Sequence, residues 1–151
     1  MNAFYLASAI LAGSMMPLQA VVNARLARAV GGPIWAAAIS ALLLTLVLII
    51  SGSAFNRCWP KLAQASGLPW WAWIGGLCGA IVLSATAAVA PRIGAANMMA
   101  LVMVGQVITA MLLDRLGWFG MPIQPMSASR ILAALFLIAG AALMGLNSIQ
   151  R

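Results

Sequence analysis

Apolar positions along this chain do not alternate with polar ones. They come in long continuous runs, such as Leu42-Leu43-Leu44-Thr45-Leu46-Val47-Leu48-Ile49-Ile50, separated by short polar or Gly/Pro-rich breaks. Backbone groups in hydrocarbon must bond internally, which leaves helices or closed barrels, and unbroken runs select helices. About 20 residues span a bilayer as a helix. Five runs qualify, at about 2–29, 34–51, 69–90, 95–113 and 128–147.

The breaks carry their own signals. Gly31, Gly32 and Pro33 predict a tight connection after the first span, and a polar loop holding Gly52, Asn56, Arg57, Lys61, Gln64 and Ser66 follows the second. Pro69 suits the first position of a helix. Trp70, Trp71 and Trp73 behind it read as an interfacial aromatic belt. Pro91-Arg92-Ile93-Gly94 predicts a very short turn. The segment from Leu116 to Met126 predicts a longer loop, with Ser127 or Ser129 capping the last span. The expected architecture is one all-α transmembrane domain over 1–151. The N-terminus has no basic region before its apolar run, so it is expected to be the first span and not a cleaved signal.

Composition reinforces this picture. Of the 151 residues, 65% are hydrophobic and 6% charged. An ordinary globular protein has about 25% charged residues. The eight Lys/Arg residues face one acid, a net charge of +7, but they are dispersed singly or in pairs beside apolar runs. No basic stripe with interleaved aromatics forms, so nucleic acid is not an expected partner. Histidine is absent. That removes His-based acid–base catalysis and the usual triads and zinc sites, and no paired acids replace them. Cys58 and Cys78 have no metal-ligand neighbours. Neither an enzyme nor a cofactor or metal site is expected.

Charge placement bears on orientation. With five spans, the N-terminus and the second and fourth loops share a side, holding Arg57, Lys61, Arg115 and Arg130. The other side holds Arg25, Arg28, Arg92 and Arg151, so four stand against four. A zero bias predicts dual topology and an antiparallel homodimer of ten helices. Local features could instead fix one orientation.

Polar groups within spans are costly and mark candidate sites. Gln19 and Asn23, spaced i,i+4 below Pro17, either clamp helices or line a substrate pathway. Pro17 is expected to break the first helix by removing a backbone bond. Gln106 and Thr109, with Met99 and Met103 on a similar face, either pack or line an adaptable pathway. Gly75, Gly79, Gly140 and Gly145 are expected at close helix contacts. Arg25 either snorkels to headgroups or attracts an anionic group. Asp114, beside Arg115, is expected in an interfacial ion pair. These three charges are the gating or interfacial candidates.

The segment Pro17-Leu18-Gln19-Ala20-Val21-Val22-Asn23-Ala24-Arg25-Leu26 resembles the first helix of the YdcZ-like family of small bacterial inner-membrane proteins, in the drug/metabolite transporter superfamily. Ala90-Pro91-Arg92-Ile93-Gly94-Ala95-Ala96, Gly105-Gln106, Leu113-Asp114-Arg115-Leu116-Gly117, Arg130 and Gly140 extend the resemblance along nearly the whole chain. Arg115 departs from it, standing where histidine is expected in many relatives. The resemblance implies five spans per chain and a family with antiparallel homodimers, paired homologues and fused double-length proteins. The expected function is export of a small molecule, of a kind the sequence does not name, across the bacterial inner membrane by alternating access. The alternative is a non-transporting subunit that packs with or regulates another membrane complex.

Overall fold

The computed structural model describes residues 3–56, 65 and 67–149, with the side chains of Asn56 and of residues 147–149 left aside. Asn2, Arg57, Cys58, Lys61, Gln64, Ser66 and Arg151 lie outside the described residues. The helices are α1 (Ala3–Val30), α2 (Pro33–Asn56), α3 (Ile74–Ile93), α4 (Ala95–Leu116) and α5 (Ala128–Ile149). A 3-10 turn, Trp70–Trp73, leads into α3, and another, Trp118–Gly120, follows α4. All five are long and apolar enough to cross a membrane.

Three ends lie beyond expectation: those of α2 and α3, and that of α4, which runs to Leu116 past the expected 113. α2 continues to Asn56, past the expected end at 51. Gly52 and Ser53 read as loop, but a helix needs only backbone bonds, and Ser53 satisfies its hydroxyl on the Ile50 carbonyl at 2.9 Å. α3 runs through Pro91 and Arg92 to Ile93. Proline's fixed φ is helical, so its cost there is the lost bond to the Ala87 carbonyl and the crowding of that carbonyl by the ring. The expected four-residue turn shrinks to Gly94 alone, across which the Asn97 amide donates to the Ile93 carbonyl at 2.9 Å. Pro17 likewise does not divide α1, which is a single helix over Ala3–Val30. What it removes is one bond to the Gly13 carbonyl.

The chain forms two compact units, Met1–Arg92 and Ile93–Arg151. In the first, α1 packs on α2. Gly31, at φ 90°, turns the chain where residues with a Cβ are strained, and the Gly32 N–H closes the helix end on the Ala27 carbonyl at 2.9 Å. In the second, α4 packs on α5. Gly117 ends α4 at φ 63° with its N–H on the Leu113 carbonyl. A Cβ there would stand 2.6 Å from Ile123 Cγ1, so a substitution is strained by the backbone and must also displace the Ile123 side chain. Ser127, not Ser129, is the cap of α5. It accepts from the Arg130 N–H through its carbonyl at 3.1 Å and its Oγ at 3.4 Å.

Burial is sparse and almost all small. Among the described residues the buried apolar ones are Ala20, Ala24, Ala36, Ala37, Ala87, Ala90, Ala141 and Met98. Lipid is as apolar as leucine, so helices in a bilayer associate through close van der Waals contact at small side chains. Alanine takes that part here. The glycines expected to take it do not do so within the chain: a Cβ at Gly75, Gly79, Gly140 or Gly145 would meet nothing within 4 Å. The large side chains point outward, Leu42, Ile50, Phe136 and Leu143 among them.

Candidate functional site

Hydroxyl groups on these helices mostly spend their hydrogen bond locally. Ser8, Thr45 and Thr86 donate to carbonyls four residues earlier, at 2.8, 2.8 and 2.7 Å. Such groups need no partner across the bundle. The informative polar groups are those the local helix does not satisfy.

Asn23 is one. It is the buried polar residue of the described chain, 3% exposed. Ser40 Oγ on α2 donates to its Oδ1 at 2.5 Å, while Nδ2 is buried without a partner. Exchanging the amide's oxygen and nitrogen leaves the count unchanged, because the hydroxyl can donate or accept but is one group. Asn23 stands seven residues before the end of α1 and Ser40 seven residues after the start of α2. At 1.5 Å rise per residue, both lie about 10 Å from the turn. Ser40 was not singled out in the sequence. Its signal was there: a polar residue in the most apolar run, mirroring Asn23 across Gly31-Gly32.

The other sequence candidates fall outside the packed interior. Gln19 is exposed although Ala20 beside it and Asn23 four residues on are buried. Gln106 and Thr109 are exposed on α4, with Met103 exposed and Met99 half-buried. Each unit thus presents polar side chains on the outer surface of apolar spans.

Arg25 and Arg28 are exposed at the far end of α1. With Val21 and Ala24 they form one stripe at i, i+3, i+4 and i+7. Facing this stripe at the end of α3 are Ala90 and Pro91, and the six residues line an open cleft of about 260 Å³. Ala24 and Ala90 are buried, so small residues let the helices approach while the guanidinium groups stand over the gap.

In the second unit the one acid is engaged. Arg130 donates to Asp114 Oδ2 at 3.2 Å, and the Gln124 N–H donates to the Asp114 carbonyl at 2.9 Å. The expected ion pair exists, but its partner is Arg130 on α5 rather than the adjacent Arg115, which is exposed. Neighbours in a helix point about 100° apart, whereas the loop after α4 returns the start of α5 to the end of α4.

The family described as "Putative inner membrane exporter, YdcZ" matches residues 4–143, from the first turn of α1 into the last turns of α5. The chain belongs to this family. A YdcZ chain is a multi-pass protein of the inner membrane, and its five apolar helices are those spans. No curated protein and no solved structure matches the chain. The YdcZ match covers both units and every candidate residue named above except Gly145.

Proposed function

We propose that this YdcZ-family chain is half of a small-molecule exporter, completed by an inverted second copy, and that it works by alternating access. One observation carries the proposal. Gln19, Gln106 and Thr109 lie on the outer surface of membrane spans, and Gln106 is at the middle of α4. An amide without a partner in hydrocarbon costs about 2–7 kcal/mol. A second copy relieves that cost by covering these faces, and the covered space is a polar pathway between copies. The balance of four basic residues on each side supports copies inserted both ways. Such a pair has the inverted-repeat symmetry transporters use for alternating access.

In this reading Gln19, Gln106 and Thr109 meet the substrate, and Met99 and Met103 supply a wall that adapts its shape. Asn23 holds α1 to α2 through Ser40. Arg25, Asp114 and Arg115 are gating charges at the ends. Gly75, Gly79 and Gly140, open within their own units, serve contacts between copies, with Gly145 on the same helix as Gly140. The Gly13 carbonyl freed by Pro17 adds an acceptor near the pathway.

Antiparallel copies bring a residue beside its own counterpart only at mid-depth, which gives a direct test. With Cys58 and Cys78 replaced by serine, Gln106→Cys is expected to cross-link to itself in membranes. Ala95→Cys is expected to cross-link to Leu116→Cys in a co-expressed partner but not to itself. Self-cross-linking at Ala95 as strong as at Gln106 overturns the antiparallel pair. C-terminal fusions to a cytoplasmic and to an external reporter should both be active. For a solute that the wild type moves out of proteoliposomes, Gln19→Ala or Gln106→Ala should slow efflux about tenfold, the weight of one hydrogen bond of about 1.4 kcal/mol. Unchanged efflux removes these residues from the pathway. A stable assembly with a different membrane protein, and no homodimer, favours the non-transporting subunit.

A further inference from the structure

Among the described residues, Arg25 and Arg28 are two cations without a counterion. Asp114 is the one side-chain acid in the sequence, and Arg130 engages it. Their position is set by helix length. α1 has 28 residues, about 42 Å at 1.5 Å each. The hydrocarbon core is about 30 Å thick, so a centred α1 projects about 6 Å at each end. Arg28, two residues from the end, lies at headgroup depth. Arg25, five residues from the end, lies about 7.5 Å in, at the hydrocarbon boundary. Snorkelling accounts for a single arginine at such a depth. What it leaves open is why both stand on one stripe over a cleft with an alanine floor.

The local field stays positive after the helix ends are counted. α1 and α3 both point their C-termini at this end, each worth roughly −0.5 charge. The N-terminus of α2 stands at the same end with roughly +0.5, so two guanidinium groups leave about +1.5, and Arg92 in the last turn of α3 adds to it. The cleft, about 260 Å³, falls below the roughly 300–1,000 Å³ of pockets for drug-sized ligands. It suits a small oxyanion group rather than a whole drug-like molecule. Guanidinium groups bind phosphate bidentately, through paired N–H donors.

We infer that the cleft between the ends of α1 and α3 binds a phosphate group, held by Arg25 and Arg28 over Ala24 and Ala90. The site is complete within one chain, so it goes beyond the transport reading and does not depend on the dimer. The phosphate can come from an anionic lipid headgroup or from a soluble phosphate.

Thermal unfolding and native mass spectrometry of the full-length protein in neutral detergent test this with two probes. One is phosphatidylglycerol in the micelle. The other is inorganic phosphate, compared with chloride at matched ionic strength. Binding of at least one probe is expected, and Arg25→Gln with Arg28→Gln should weaken it at least tenfold. Arg92→Gln removes the same charge from the end of α3 but lies outside the cleft, and should change binding less than twofold. Arg25→Lys with Arg28→Lys keeps charge and fold while losing the paired donors, and should weaken binding severalfold. Binding of phosphatidylglycerol alone identifies a lipid site, and displacement of that lipid by inorganic phosphate identifies a site open to soluble phosphate. Binding of neither probe, binding that survives in the glutamine double variant, or equal loss in Arg92→Gln overturns the inference. Circular dichroism of each variant separates lost binding from lost helix.

Discussion

The two units each contain a helical hairpin with, among the described residues, one side-chain hydrogen bond between its helices, and the bonds are opposite in kind. α1 and α2 are joined by Asn23 and Ser40, a neutral pair, part-buried, 17 residues apart. α4 and α5 are joined by Asp114 and Arg130, a charged pair, exposed, 16 residues apart. The first pair lies about 10 Å below a two-residue turn; the second sits at the mouth of a longer loop. The difference follows from the solvent. At depth, an ion pair must repay several kcal/mol of desolvation per charge, whereas a neutral hydrogen bond repays much less. Charges therefore hold the end of one hairpin and neutral groups hold the interior of the other. Arg25 and Arg28 fit neither pattern, being charged, close to the boundary and unpaired, and that singles them out.

The contrast between the hairpins can be broken at their turns. Gly117→Ala should have the largest effect, about 2–4 kcal/mol, from left-handed backbone strain plus overpacking on Ile123. Adding Ile123→Ala should recover the overpacking part and leave the strain. Gly31→Ala, facing open space, should cost only the strain, about 1–2 kcal/mol. The apparent melting temperature in detergent reads all three, and equal losses at both glycines would contradict the different crowding of the two turns.

Smaller effects follow at the joining contacts. Ser40→Ala leaves the buried amide with no side-chain partner and should destabilise by about 1–2 kcal/mol. Asn23→Ala should cost less than the sum of both single losses when combined with it, and a double-mutant cycle measures the coupling. Ser127→Ala should cost about 0.5–1 kcal/mol through loss of the α5 cap. Asp114→Asn should cost least, under about 0.5 kcal/mol, since an exposed ion pair is screened by solvent. That cost should shrink further in 1 M salt. A larger, salt-independent loss would mean that Asp114 is held by more than Arg130.

The five spans were legible because continuous apolar runs admit one reading. Their ends were less so, because apolarity marks depth in the bilayer and not the end of hydrogen bonding. Ser53 and Pro91 both looked like exits from a helix, and the backbone carries on through each. The site was legible in part. Asn23 and Arg25 stood out as polar groups in an apolar run, but their partners did not. Ser40 and Ala90 are unremarkable until the chain folds back, and the choice of Arg130 over Arg115 depends on where a loop returns. Periodicity along one helix places a residue on a face without saying what that face meets.

The alanine interior has a mechanical meaning. Leucine-rich helices lock as knobs in holes, and moving one past another means unseating each knob. Alanine has no rotamers to rearrange and loses no side-chain entropy on packing. Contacts built on Ala20, Ala24, Ala36 and Ala37 are therefore smooth bearing surfaces. Side-chain interlock there would offer little resistance to small shear displacements, and the Asn23–Ser40 hydrogen bond is what pins the two helices in register.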